Sequence, residues 1–198
     1  MMRIDATGKP CPQPVMLAKA AVDGGAASLE VTVDNPVSAS NVTRFLESQG
    51  YSVTPGGEVP RLVLKAEKTG EAGPAPALTC PSSPATGDYG VLLLSRTLGS
   101  ESPELGDALM KAFLGTLAQR TPLPSVLALM NGAVFLALKD SSAHETLGEM
   151  AAKGVRVLVC GTCTKHFDVT DRVAVGTISN MFEITEAVYG TAKPVVMG

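Results

Sequence analysis

From Ser28 to Asp34 polar and apolar residues alternate with period two, the pattern of a strand with one buried face. Asn35-Pro36 follows as a helix cap and a proline at the first helical position. Val42, Phe45, Leu46 and Gln49 then recur at helical spacing until Gly50 stops the helix. Upstream, Cys11-Pro12 opens another helical pattern through Val15, Ala18 and Val22, ending near Asp23-Gly24-Gly25. Downstream, Ser52–Thr54 and Leu62–Ala66 read as a strand pair around the turn Pro55-Gly56-Gly57. With a first strand before Cys11, the order β-α-β-α-β-β predicts a two-layer α/β sandwich, both helices on one face of the sheet.

The second half has another rhythm. Val91–Leu94, Val126–Leu129 and Val155–Val159 are short, continuous apolar runs, as in strands covered on both faces of a parallel sheet. Between them lie helical patterns at Leu105, Leu109, Ala112, Phe113 and Leu117, and at Leu147, Met150 and Ala151. A last helix near Met181–Val188 precedes a final strand, Pro194–Met197. This alternation predicts a doubly wound parallel sheet, whose ligands bind at the carboxyl ends of the strands. Those ends are Ser95-Arg96, Asn131-Gly132 and Cys160-Gly161-Thr162-Cys163.

Residues 69–88, TGEAGPAPALTCPSSPATGD, separate the halves: rich in Pro and Gly, without Lys or Arg, and with Leu78 the single large apolar residue. Such a segment cannot bury enough surface to offset its ordering entropy and reads as a linker. The predicted domains are 1–68 and 89–198. About 20 flexible residues would give a root-mean-square reach of roughly 25 Å, enough for one domain to hand cargo to the other.

Composition narrows the function. The chain is 45% hydrophobic and 18% charged, which excludes a disordered chain. Sixteen Lys and Arg against 19 Asp and Glu give a net charge of −3, which argues against direct nucleic-acid binding. Four cysteines are too few for a disulfide scaffold. MMRIDATG holds no apolar signal region, and the uncharged stretch Thr121–Leu138 carries Pro122, Pro124, Ser125, Asn131 and Gly132. That stretch reads as a buried strand plus a turn rather than a membrane span, and a cytoplasmic protein with reduced thiols is the expectation.

Two constellations carry chemistry. In Cys11-Pro12-Gln13-Pro14, a proline at the first helical position would put Cys11 at the helix cap. Unpaired N–H groups and the positive end of the helix dipole favour an anion there, and a thiolate is one. Lys9 stands two residues upstream. The alternative is a small buried hydrophobe at a helix start. In Cys160-Gly-Thr-Cys163, two thiols follow a buried strand and can relay sulfur, cycle to a disulfide, bind metal or simply pack. His166 would make a third metal ligand, but a fourth would have to come from Cys80, His144 or a carboxylate, so no metal is expected.

Weaker features fill the list. Cys80-Pro81 echoes Cys11-Pro12 without a following helix and reads as a spare thiol. His144 reads as a solvated or capping residue, and Ser95-Arg96 either binds an anion or caps the next helix. No GxGxxG, P-loop, HExxH or GxSxG motif is present, and no cofactor is expected.

Asp5-Ala6-x-Gly8-x-x-Cys11-Pro12-x-Pro14 resembles the signature of the TusA/SirA-like sulfur carriers over residues 2–68. The resemblance implies that Cys11 carries sulfur as a persulfide, with Pro12 and Pro14 as the motif prolines. Residues 89–198 resemble the DsrE-like domains in Gly99 through Leu105-Gly106, Asn131-Gly132, Cys160-Gly-Thr-Cys163 and Gly176-x-Ile178-Ser179-Asn180-Met181. That resemblance implies a sulfur-acceptor role for Cys160 and allows a homo-oligomer. The two domains in this order are similar to the YedF proteins, linked to selenium metabolism.

The expected function is therefore a sulfur or selenium carrier working between donor and acceptor proteins. Cys11, Cys160 and Cys163 would do the chemistry, with Pro12, Pro14, Ser95, Arg96 and Asn131 beside the cargo. The alternatives are a CxxC thiol–disulfide module and a non-catalytic binding scaffold.

Overall fold

The structure, a computed structural model, describes residues 1–69 and 86–198. The chain divides into two compact units, Met1–Leu78 and Thr79–Gly198. Most of the stretch expected to be a linker, and Cys80 with it, lies outside the described residues.

The N-terminal unit runs β1 (Met2–Asp5), α1 (Gln13–Asp23), β2 (Ser28–Val33), α2 (Pro36–Ser48), β3 (Tyr51–Glu58) and β4 (Arg61–Lys68). Its sheet has the order β1-β2-β4-β3, with β1 parallel to β2 and the other pairs antiparallel. The period-two pattern of β2 becomes a buried row of Leu29, Val31 and Val33, in register with Ala66, Leu64 and Leu62 of β4. On the opposite face Glu30 lies between Arg3 and Lys65 and pairs with the Arg3 guanidinium at 3.4 Å. α1 and α2 pack on each other, α1 against β1 and β2 and α2 against β3 and β4, so both helices cover one face. Pro14, Val15, Ala18 and Ala21 of α1 and Val42, Phe45 and Leu46 of α2 are buried in that layer.

The strands of the hairpin, β3 and β4, are longer than the sequence pattern indicates, and the turn falls later, at Val59-Pro60 rather than at Pro55-Gly56-Gly57. Those three residues stay in the ladder opposite Leu64, Val63 and Leu62. Gly57 has φ +79°, and a Cβ there would stand 2.4 Å from the Arg61 carbonyl oxygen, so only glycine fits.

The C-terminal unit runs β5 (Tyr89–Leu93), α3 (Pro103–Leu117), β6 (Val126–Leu129), a 3₁₀ helix (Asn131–Ala137), α4 (His144–Ala152), β7 (Arg156–Cys160), α5 (Gly161–His166), a 3₁₀ turn (Thr170–Arg172), β8 (Thr177–Ser179), α6 (Met181–Tyr189) and β9 (Lys193–Met197). The described strands form one parallel sheet in the order β8-β7-β6-β5-β9. Every residue of β6 is buried, as are Val157–Cys160 of β7, so both faces of the sheet are covered there.

Two features depart from the sequence reading. β8 has three residues, too few for a period to show. The turn expected after β6 is a seven-residue 3₁₀ helix whose Ala133, Val134, Leu136 and Ala137 are buried. No described helix is long and apolar enough to cross a membrane.

The apolar row shared by β2 and β4 holds the N-terminal sheet to its helices. Leu64→Ala is expected to destabilise this unit by about 2–5 kcal/mol. Lys65→Ala, on the exposed side of the same strand, is expected to change it by less than about 0.5 kcal/mol. Urea unfolding followed by far-UV circular dichroism measures both.

Candidate functional site

Cys11 sits in the loop between β1 and α1, half-buried and reduced. Four contacts shape that loop. The Thr7 N–H donates to Asp5 Oδ1 at 3.0 Å and the Gly8 N–H to Asp34 Oδ2 at 2.8 Å. The Lys9 N–H bonds the Ala6 carbonyl at 3.3 Å and the Gln13 N–H the Pro10 carbonyl at 2.8 Å. The Thr7 hydroxyl and N–H hold the Asp5 carboxyl below its ordinary range, in its charged form. Asp34 directly follows β2, and its other oxygen accepts from the Asn35 side chain at 2.7 Å. Asn35 in turn caps α2 through the Ser38 N–H at 2.8 Å. The cysteine loop is thereby tied to the start of the neighbouring helix.

The expected place of Cys11 needs correction. Pro12, not Cys11, occupies the cap of α1, and Cys11 lies one residue further out. The unpaired amides expected around the sulfur are also largely missing. Pro12 and Pro14 have no N–H, the Gln13 N–H is bonded to Pro10, and the Val15 N–H is bonded to the Pro12 carbonyl at 3.0 Å. Any anion-favouring field at Cys11 comes from the axis of the eleven-residue helix rather than from free donors. Pro14 is buried against the core and Pro12 is half-buried, so the motif prolines shape the loop.

In the C-terminal unit the ends of three strands meet, as the sheet topology requires. Cys160 closes β7 and Cys163 lies in the first turn of α5. Asn131, just beyond β6, has φ +47° and donates its N–H to Cys163 Sγ at 3.1 Å. Gly132 lies against the backbone of Ser95 and Arg96 beyond β5, where a Cβ would be 3.7 Å from the Arg96 nitrogen.

The two thiols differ sharply. Cys160 is 1% exposed. Burial pushes its thiol up to about 12; the neighbouring Cys163 sulfur adds to this, and the N–H groups of Cys163 and Thr162 oppose it only in part. Cys160 is therefore a protonated, enclosed thiol at neutral pH, which weighs against the acceptor role expected for it. Cys163 is half-buried and is the accessible sulfur of the pair.

Other expected site residues fall elsewhere. Ser95 Oγ accepts from the Thr97 N–H and pairs with the Thr97 hydroxyl, both at 3.1 Å, so it closes a local turn. The next helix, α3, is capped by Ser102 instead. Arg96 is exposed, with its guanidinium 5.9 Å from the Phe135 ring centroid. His166 is exposed, edge-on to Phe167 at 5.0 Å. Among the described residues no three of His, Cys, Asp and Glu gather to hold a metal ion, so the set Cys160, Cys163 and His166 does not assemble.

Residues 2–65 match the model of the family Sulfurtransferase TusA. The N-terminal unit is a TusA-family domain. Among solved structures, a SirA-like protein from Desulfitobacterium hafniense is 32% identical, over 34% of this chain and 96% of that one, with a TM-score of 0.31. No curated protein matches the chain. Within the TusA-family domain, Cys11 is the single cysteine, and Asp34 is a positioning contact that sequence reading passed over. Asp34 lies 26 residues from Gly8, and only its place beside a helix cap hinted at a role.

The burial of Cys160 has a pH signature. A thiol whose folded value is raised to about 12 keeps its proton where the unfolded chain, near 9, loses it. Its contribution to stability is complete below about pH 9 and is lost as pH rises toward 12. Unfolding of the C-terminal unit is expected to become easier across that range, and less steeply in Cys160→Ala, as read by denaturant midpoints. Alkylation mapped by mass spectrometry at pH 7 is expected to label Cys11 and Cys163 well before Cys160.

Proposed function

We propose that this protein is a carrier of sulfur or selenium that holds its cargo on Cys11. The observation that supports the reading is a half-buried, reduced cysteine on an anchored loop inside a TusA-family domain. Loading is thiol exchange. The Cys11 thiolate attacks the outer sulfur of a donor persulfide, the donor S–S bond breaks, and a new S–S bond forms on Cys11. The donor leaves as a thiolate, and no net oxidation occurs. Selenium would ride in the same way, taken from the terminal selenium of a donor perselenide and held on Cys11 as a perselenide. Donor and acceptor are partner proteins in a reducing, cytoplasmic setting.

In the same reading residues 89–198 form a DsrE-like domain of the YedF type, and its accessible Cys163 serves as an acceptor within the chain. Attack by the Cys163 thiolate on the outer sulfur of loaded Cys11 would move the cargo and return Cys11 as a thiolate. The contrast between a buried Cys160 and an accessible Cys163 favours a second reading for this pair alone. The two thiols would cycle to a disulfide, giving two electrons and two protons to an oxidised low-molecular-weight disulfide.

Mass spectrometry after treatment with a persulfide donor tests the reading. A gain of about 32 Da on Cys11 is expected, absent in Cys11→Ser and kept in Cys163→Ser. Cargo that appears later on Cys163, at a rate independent of protein concentration, supports transfer within the chain. Absence of any adduct on Cys11 overturns the carrier.

A loss of about 2 Da across Cys160 and Cys163 with oxidised glutathione is the expected mark of the redox couple. Pairing that requires denaturant would rule it out.

A further inference from the structure

Beyond the strand ends of the C-terminal unit lies a cleft of about 290 Å³ that neither thiol lines. Met110 of α3 and Leu136 and Leu138 after β6 back it, almost wholly buried, and its open surface mixes polar and apolar atoms. Phe135 forms one wall, braced by the Phe167 ring at 4.9 Å. The rim carries three cations and two carboxylates. Lys111 pairs with Asp107 at 2.6 Å and Arg172 with Asp140 at 2.7 Å. Arg96 has no carboxylate partner among the described residues, and its guanidinium stands over the Phe135 ring. The Ser141–Ala143 turn before α4 closes the opposite side.

We infer that this cleft binds a small monocarboxylate with an apolar body, its carboxylate held by Arg96 and its hydrocarbon part against Phe135. Charge, size and shape converge on that class. Two of the three cations are neutralised by their neighbours, so the rim offers one net positive charge. A guanidinium fork matches a carboxylate with two parallel hydrogen bonds. With Asp107 and Asp140 already paired, the rim compensates a single negative charge, and a dianion would leave one uncompensated, which disfavours phosphate esters. The volume lies at the lower end of ligand sites and suits a compact body of one ring or a short branched chain. The position, outside the carboxyl ends of β5 and β6, is where open parallel sheets take their ligands. The site stands independently of the sulfur chemistry, because Cys163 is not part of its lining.

The test is a titration of the ¹⁵N-labelled full chain with benzoate, benzamide and inorganic phosphate, followed by amide chemical shifts. Benzoate is expected to saturate with a dissociation constant on the order of 1 mM, with shifts concentrated at Arg96, Phe135 and residues 141–143. Benzamide, the neutral isostere, and phosphate are each expected to bind at least about tenfold more weakly. Arg96→Gln, a change at an exposed side chain whose fold the same spectra report, is expected to weaken benzoate by about tenfold. The proposal is overturned if benzoate does not saturate, if its shifts map elsewhere, if benzamide or phosphate binds as well, or if Arg96→Gln binds benzoate unchanged.

Discussion

Burial of β7 on both faces is the constraint on which the C-terminal site depends. A parallel strand covered above and below has no slack, so the residue that ends it emerges at one fixed place. In this chain that residue is Cys160, and the chain must turn at once into α5 to leave the sheet. The burial that pins the strand also encloses the first thiol and keeps it protonated. One turn on, Cys163 emerges beside the end of β6, within reach of the Asn131 N–H. A single packing requirement therefore yields two thiols of unlike character from one short motif.

The N-terminal site is built the other way. Cys11 is not held by a buried strand end but by a loop threaded with hydrogen bonds, and the anchoring group is the carboxylate of Asp34, in the turn between β2 and α2. Prolines take the places where free amides would otherwise stand. The outcome is a half-buried sulfur on a shaped loop at the start of a helix. In the proposed carrier role that placement leaves the sulfur open to partner proteins. Strong local stabilisation would bind the cargo rather than release it.

Arg96 shows how tertiary placement changes a residue's meaning. In sequence it follows a buried strand and reads as a neighbour of the thiols. In the fold its backbone does lie by Gly132, next to Asn131, but its side chain turns over Phe135 and away to a separate cleft. Phe135 lines that cleft and packs on the Phe167 ring, and the Phe167 N–H bonds the Cys163 carbonyl at 3.0 Å. One edge of the sheet thus presents one accessible thiol, Cys163, and a separate charged cleft.

Element type and order were legible wherever the pattern was long enough to repeat. The alternation in β2, the helical spacing of α2 with its Asn35 cap, and the apolar runs of β5, β6 and β7 all rest on local burial that each residue reports through its own side chain. The motif cysteines were equally visible, because thiol chemistry depends on residue type. Three things came only from the tertiary structure. These were the one-residue shift that puts Pro12 at the helix cap, the three-residue β8 at the edge, and the unequal burial of Cys160 and Cys163. Each is decided by what lies across from the residue rather than beside it, such as Asn131 on Cys163 at a separation of 32 residues. Sequence spacing sets which side chains are available, whereas desolvation and hydrogen bonding depend on partners that only folding brings within reach.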